Sequence, residues 1–162
     1  MSARDVLKNL NLFVDGKGYA GQIEEYNPPD LTLTTEDFRA GGMDAPVAIE
    51  MGQEALETSF SLLSYDRDVL ALWGVAEGET VPLIVRGALE SFDGTVTAVR
   101  HEMRGKITSL ARGTWAPGQK ATLTITQRLV YYREVHDDRV LHEIDVENMI
   151  RVVNGTDRLA AQ

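Results

Sequence analysis

Apolar and polar residues alternate with a period of two along most of the chain, the mark of strands with one buried face. Leu123, Ile125, Leu129 and Tyr131 alternate with Thr122, Thr124, Thr126 and Arg128. Further on, Val140, His142, Ile144, Val146, Asn148, Ile150 and Val152 share one face of a predicted long strand, with Leu141, Glu143, Asp145, Glu147, Met149 and Arg151 on the other. His136-Asp137-Asp138-Arg139 lies between the two runs and carries turn-forming aspartates, so the pair reads as a long antiparallel hairpin. Upstream, Val81, Leu83, Val85 and Leu89 alternate with Ile84, Arg86, Ala88 and Glu90. Asp93-Gly94 then gives a two-residue hairpin signal before another predicted strand over 95–109. Residues 10–15, 19–26 and 31–38 also read as strands, separated by Asp15-Gly16-Lys17-Gly18 and Asn27-Pro28-Pro29-Asp30. One segment has helical spacing: 66–74 starts with aspartates, carries Val69, Leu70 and Trp73 on one face and ends at Gly74. It predicts a single helix with Trp73 in the core. Short strands, frequent turns and one short α-helix make this a mainly β chain, an antiparallel sandwich or barrel.

Two features of the pattern bear on function. Arg39-Ala40-Gly41-Gly42-Met43-Asp44-Ala45-Pro46 interrupts the alternation as a flexible stretch with an exposed methionine, and loops of this length usually bind something. Several predicted strand faces also carry short polar or acidic side chains: Gln22 and Glu24; Thr32, Thr34 and Glu36; Glu57, Ser59 and Ser61. The opposite faces hold Ile23; Leu31 and Leu33; Leu56, Phe60 and Leu62. Such faces are either an ordinary solvated exterior or the wetted wall of a pore shared between subunits.

Composition narrows the choice. The 162 residues, 43% of them hydrophobic, suit one core and one domain spanning 1–162. Sixteen basic residues against twenty-five acidic ones leave a net charge of −9, a surface that repels nucleic acid, so no specific nucleic-acid binding is expected. Twelve of the sixteen basic residues are arginine, scattered singly from Arg4 to Arg158, which fits either a solvated ion-paired surface or contact with other subunits. Cysteine is absent, which removes disulfides, thiolate metal sites and a cysteine nucleophile. No apolar run approaches a membrane span and the start lacks a signal peptide's apolar core, so a soluble protein made in the cytoplasm is expected, with no membrane partner.

The motifs that would carry chemistry are weak. Gly16-Lys17-Gly18-Tyr19-Ala20-Gly21 matches a dinucleotide fingerprint, but residues 22–27 alternate and the pattern then breaks at Pro28, where a pyrophosphate site needs a helix N-terminus. The glycines read as a hairpin turn. His101, His136 and His142 adjoin Glu102, Asp137 and Glu143, yet strand neighbours face opposite ways and no pair has metal-ligand spacing, so surface or interface histidines are expected. No nucleophile elbow, phosphate loop or metalloprotease helix is present. No catalytic residue, metal or cofactor is expected.

The chain resembles the major tail tube proteins of contractile-tailed phages and pyocin-like contractile bacteriocins. The resemblance rests on Leu10-Asn11-Leu12-Phe13-Val14-Asp15-Gly16 with Gly18-Tyr19-Ala20-Gly21, on Phe38 to Pro46, on Arg86-Gly87-Ala88-Leu89 and on Gly113-Thr114-Trp115 with Pro117-Gly118. Tyr131-Tyr132, Glu143 to Met149 and the closing run from Val153 to Gln162 extend it over nearly the whole chain. It implies a β-sandwich that assembles with itself into hexameric rings with a shared inner β-barrel, stacked into a tube that conducts DNA or ions. The implied partners are a tail sheath protein, baseplate and tail terminator proteins, and a tape-measure protein inside the lumen. The implied location is the virion tail or bacteriocin particle, assembled in the bacterial cytoplasm. On this resemblance Arg39, Gly41, Gly42, Met43, Asp44 and Pro46 become an oligomer interface. Gln22, Glu24, Thr32, Thr34, Glu36, Glu57, Ser59 and Ser61 become lumen-lining residues. The tube of a type VI-like secretion system is similar in fold, and a monomeric small-molecule-binding β-barrel is the rival from another class.

Overall fold

The computed structural model describes residues 6–19, 22–63, 65–74 and 79–160. Among these residues, twelve strands and one helical turn succeed one another: β1 (Val6–Val14), β2 (Lys17–Gly18), β3 (Ile23–Asn27), β4 (Leu33–Phe38), β5 (Val47–Gln53), β6 (Leu56–Leu62), α1 (Arg67–Leu70), β7 (Val81–Glu90), β8 (Val96–Ala111), β9 (Leu123–His136), β10 (Arg139–Asp145), β11 (Ile150–Val153) and β12 (Thr156–Asp157). The main sheet runs β12-β11-β10-β9-β8-β7-β1-β2, and all its pairs are antiparallel. This is the mainly β fold expected from the alternation.

The two longest strands shape the body. The first half of β9 pairs with β6 on its free side, through Leu62↔Leu123 to Leu56↔Leu129, and its second half pairs with β10. Between the halves, the β8–β9 ladder shifts register at Arg104/Gly105, where a bulge bends the strand. Gly105 is required there: a Cβ at this position would lie 2.1 Å from the carbonyl oxygen of Arg128. The bend turns the β3–β6 hairpin over β8, so that Tyr26 on β3 reaches His101 on β8 at 2.9 Å. Leu12, Leu83, Met103, Ile107, Ile125 and Phe60 fill the space between these layers with nearly no exposure. Gln127, a buried polar residue beside them, donates its amide to the carbonyl of Val81.

Local turn chemistry accounts for the hairpins. Asp15 and Gly16 both have positive φ (49° and 85°), as do Asp137 and Asp138 (45° and 65°), which is what tight two-residue turns between twisted strands demand. Gly16 therefore belongs to a hairpin turn and Gly18 to the strand β2 that follows it, and the next described element is strand β3.

Three expectations are corrected. The helix predicted over 66–74 is a single turn, Arg67–Leu70, capped by the Asp66 carboxylate accepting from the Asp68 amide. Val69 is buried beneath it, but Trp73 lies beyond its end and is 56% exposed, with its indole N–H donating to Thr108 O at 3.2 Å. Four residues of helix cannot carry Val69 and Trp73 on one stripe. The single strand predicted over 140–152 is two strands, β10 and β11, folded on each other with Ile144 opposite Arg151. Asp145 makes the turn by accepting from both the backbone and side-chain nitrogens of Asn148, and Met149 has a φ of 54°. The residues between Asp145 and Ile150 keep a period of two by composition alone, and the exposed Val146 and Met149 lie on the turn. His101, expected at the surface, is buried, with only 9% exposure.

Candidate functional site

Strands β4 and β5 hydrogen-bond only to each other, a two-stranded ribbon outside the main sheet. Its base is closed by Glu54 N–H donating to Thr32 O, 2.8 Å. A pair between Glu50 and Arg151 of β11 is the one side-chain ion pair that joins the ribbon to the body among the described residues. Phe38↔Val47 and Glu36↔Ile49 are directly opposed, so these four side chains share a face, while Asp37, Ala48, Thr35 and Glu50 share the other. The first face is apolar apart from Glu36, and Phe38, Val47, Ile49 and Met51 on β4 and β5 are all about half exposed, between 45% and 59%. A register shift between Leu33 and Thr35 needs a residue on the partner strand with positive φ, and Gly52 supplies it at 115°.

An isolated two-stranded ribbon is marginal in water, and one with an uncovered apolar face calls for a partner. At its tip lies the loop 39–46. It has more internal structure than the flexible stretch expected: the Arg39 guanidinium donates to Met43 O and Asp44 O, each at 3.3 Å. The Ala40 amide lies 3.2 Å from Met43 Sδ, so the methionine folds back on the loop and is half-buried. Gly41 and Gly42 have open space where a Cβ would stand, and Gly42 takes a φ of 89°. Asp44 and Pro46 complete the exposed tip.

The polar strand faces divide between two places. Glu57, Ser59 and Ser61 of β6 stand opposite Arg128, Thr126 and Thr124 of β9, so the structure adds two threonines that the pattern of single strands does not connect to them. Within this patch Glu57 lies 3.7 Å from Arg128, and Ser61 is covered, sharing a 3.1 Å hydrogen bond with Thr124. Gln22 and Glu24 adjoin the patch on the β3 side, where a bulge between Ile23 and Glu25 places Glu25 opposite Ser61. Thr32, Thr34 and Glu36 belong instead to the ribbon and its base.

Two of the three histidines, His101 and His136, converge on one carboxylate, Glu134 of β9. His101 and His142 stand opposite it on the flanking strands β8 and β10. His101 Nε2 lies 2.8 Å from Glu134 Oε1 and His136 Nε2 lies 3.7 Å from Oε2. Tyr132 donates its hydroxyl to the same carboxylate at 3.0 Å. The bond from His101, outweighing the effect of burial, holds the Glu134 carboxyl down to about 2. Sequence neighbours could not reveal the central bond of this cluster, because His101 on β8 and Glu134 on β9 meet only across the ladder. It ties the sheet together, and among the described residues no group of histidines and carboxylates has the geometry to hold a metal ion.

A mainly β domain whose two-stranded ribbon leaves an apolar face uncovered offers that face to another chain. The chain belongs to the family described as phage tail tube protein FII, whose model matches residues 4–162. It is 33% identical to the tail tube protein of Escherichia phage P2 over 157 residues, 94% of this chain and 91% of that one. It is 31% identical to the major tail tube protein of Serratia phage KSP20 over 151 residues, 92% and 87% of the respective chains. Among solved structures its fold is similar to a chain of the sheath–tube complex of an extracellular contractile injection system in the extended state (TM-score 0.58, 12% identity, 79% of this chain and 87% of that one). A chain of the tube-terminating cap of the anti-feeding prophage is similar too (TM-score 0.57, 14% identity, 75% and 83%). The protein is a structural tail tube protein.

Proposed function

We propose that this chain, as one domain spanning 1–162, forms homohexameric rings that stack into the inner tube of a contractile phage tail or a phage-tail-like bacteriocin, a conduit for DNA or ions. The observation that carries this reading is the β4–β5 ribbon, whose apolar face nothing in the described subunit covers. Stacking covers it. Arg39, Gly41, Gly42, Met43, Asp44 and Pro46, at the ribbon tip, contact a subunit of a neighbouring ring. The contractile-system structures with the same fold include a sheath–tube complex, a tube-terminating cap and a baseplate. By analogy the partners here are a sheath protein, a terminator and a baseplate, with a tape-measure protein in the lumen, in a tail assembled in the bacterial cytoplasm.

The bore, on this reading, is lined by the hydroxyl-rich face of β6 and β9 with its β3 border, and by the ribbon. Gln22, Glu24, Glu57 and Ser59 border it, Ser61 lies in the layer beneath, and Thr32 and Thr34 continue it along the ribbon, whereas Glu36 shares the apolar face that stacking covers and leaves the lumen set. A wall of short hydroxyls with the Glu24 carboxylate at its border repels a phosphate backbone and lets it slide. The test is electron microscopy of the purified chain and of a variant lacking Gly41 to Asp44. Wild-type tubes and a folded variant that stays unpolymerised are expected; tubes of normal length from the variant would remove the loop from the interface. A map of the tube with Glu24 and Glu57 outside the bore would overturn the lumen assignment.

A further inference from the structure

The end of the subunit opposite the ribbon carries an exposed aromatic groove. Tyr65, just after β6, and Trp115, in the β8–β9 loop, meet with ring centroids 5.1 Å apart. The Trp115 indole N–H donates to the Tyr65 hydroxyl at 2.7 Å, and that hydroxyl donates to Arg112 O. With Pro117 and Ala121 they line an open groove of about 500 Å³, and Trp115 is 71% exposed. The indole is thus fixed by its hydrogen bond while its faces stay in water. Nothing in the described subunit uses so large an ordered apolar surface.

We infer that this groove receives the β4–β5 ribbon of a second copy of the chain. The inference rests on the tube reading and names the surface that the ribbon docks on. Two independent observations select this occupant. The first is topology. The β3–β6 hairpin runs from Ile23↔Leu62 at one end to Asn27↔Ser59 at the other. Tyr65 and the loop leading into Leu123 lie at the Leu62 end, whereas the ribbon departs between Asn27 and Leu56. A subunit's own ribbon therefore points away from its own groove. A projecting element at one end and an exposed receiver at the other make a head-to-tail contact, which does not pair as a two-fold dimer and propagates into an open stack wherever its rotation does not close a ring.

The second is charge. From Leu33 to Gln53 the ribbon has four carboxylates and one arginine, 1 − 4 = −3. Arg39 is engaged by its own loop and Glu50 by Arg151, while Glu36, Asp37 and Asp44 form no ion pair among the described residues. The loop from Thr108 to Thr122 carries Arg112 and Lys120 and no carboxylate, 2 − 0 = +2, in a chain whose net charge is −9. Neither Arg112 nor Lys120 has an ion-pair partner among the described residues. An acidic ribbon with an apolar face fits an aromatic groove whose loop is basic, with Lys120 next in sequence to lining residues and Arg112 bonded through its carbonyl to Tyr65.

Charge exchange tests this. One variant carries Arg112→Glu and Lys120→Glu, and another carries Glu36→Lys and Asp37→Lys; all four sites are exposed, so both chains are expected to melt as the wild type does. Each alone is expected to lose tube formation in negative-stain microscopy. Mixed, they are expected to regain it, since each ribbon then meets a loop of opposite sign in alternating rings. In a Trp73→Phe background, where Trp115 is the one tryptophan left, its emission is expected to shift to the blue on polymerisation. Tubes from either variant alone, a mixture that stays unassembled, or Trp115 emission unchanged between subunit and tube would each overturn the groove while leaving the tube reading intact. A wild-type chain that forms no tubes would overturn both.

Discussion

Trp73 and Glu134 show how far a side chain's environment departs from its sequence neighbourhood. Trp73 is 56% exposed and holds the protein mainly through its bond to Thr108 O. Trp73→Ala should therefore cost about 1 kcal/mol, the scale of one hydrogen bond, against the ~3–5 kcal/mol of a buried tryptophan. Chemical denaturation of the unassembled subunit separates the two outcomes. Glu134 is depressed from 4.5 to about 2 by its bond to His101, so its native carboxylate binds protons less readily than the unfolded one. The stabilisation it gives is complete above the unfolded value, near 4.5, and is lost as pH falls through that value toward 2. Glu134→Gln should flatten the acid limb of the stability–pH profile in that window while leaving the slope above about pH 6 unchanged. Unfolding curves at about pH 3 and about pH 6 for the two chains measure it.

At the level of elements, the ribbon and the body are held together by different means. The body closes an apolar layer between β1-β7-β8 and β3-β6, with β9 shared by both. The ribbon buries almost nothing, since every residue of β4 and all but Gln53 of β5 are exposed. Replacing 33–53 by a short Gly-Ser link across Thr32 and Glu54, whose backbones already bond at 2.8 Å, should shift the melting temperature of the monomer by no more than about 3 °C. A large loss would mean that the ribbon stabilises the subunit itself. Hydrogen exchange should give the same division: slow amides in β8 and β9, fast ones in β4 and β5 until the chain assembles.

For the whole molecule, assembly and stability are linked. Burial of the ribbon in a neighbour stabilises only the folded subunit, so the apparent melting temperature should rise with protein concentration. The chain lacking 33–53 should melt at one temperature over the same range. Differential scanning calorimetry at two concentrations about a hundredfold apart tests this, with the wild-type trend as the expected signal. The net charge of −9 opposes association between subunits, against which the carboxylate-free segment carrying Arg112 and Lys120 stands out.

Alternation alone determined that this protein is a mainly antiparallel β domain, because a strand with one buried face must repeat every two residues whatever it packs against. Asp15-Gly16, Asp93-Gly94 and Asp137-Asp138 marked hairpins for the equally local reason that tight turns need positive φ. What depends on distant partners was not legible. The turn at Asp145 to Met149 preserved the period by accident, and the helix lost its second half, since a single capped turn already buries Val69. Only tertiary structure could bring His101 to Glu134, set Thr124 and Thr126 beside Ser61 and Ser59, or place the ribbon and the Trp115 groove at opposite ends. Those relations are fixed by strand order and by the bend at Gly105, where one absent Cβ lets β8 and β9 approach. Strand order is a property of contacts between residues far apart in sequence, and the period of a pattern carries no record of it.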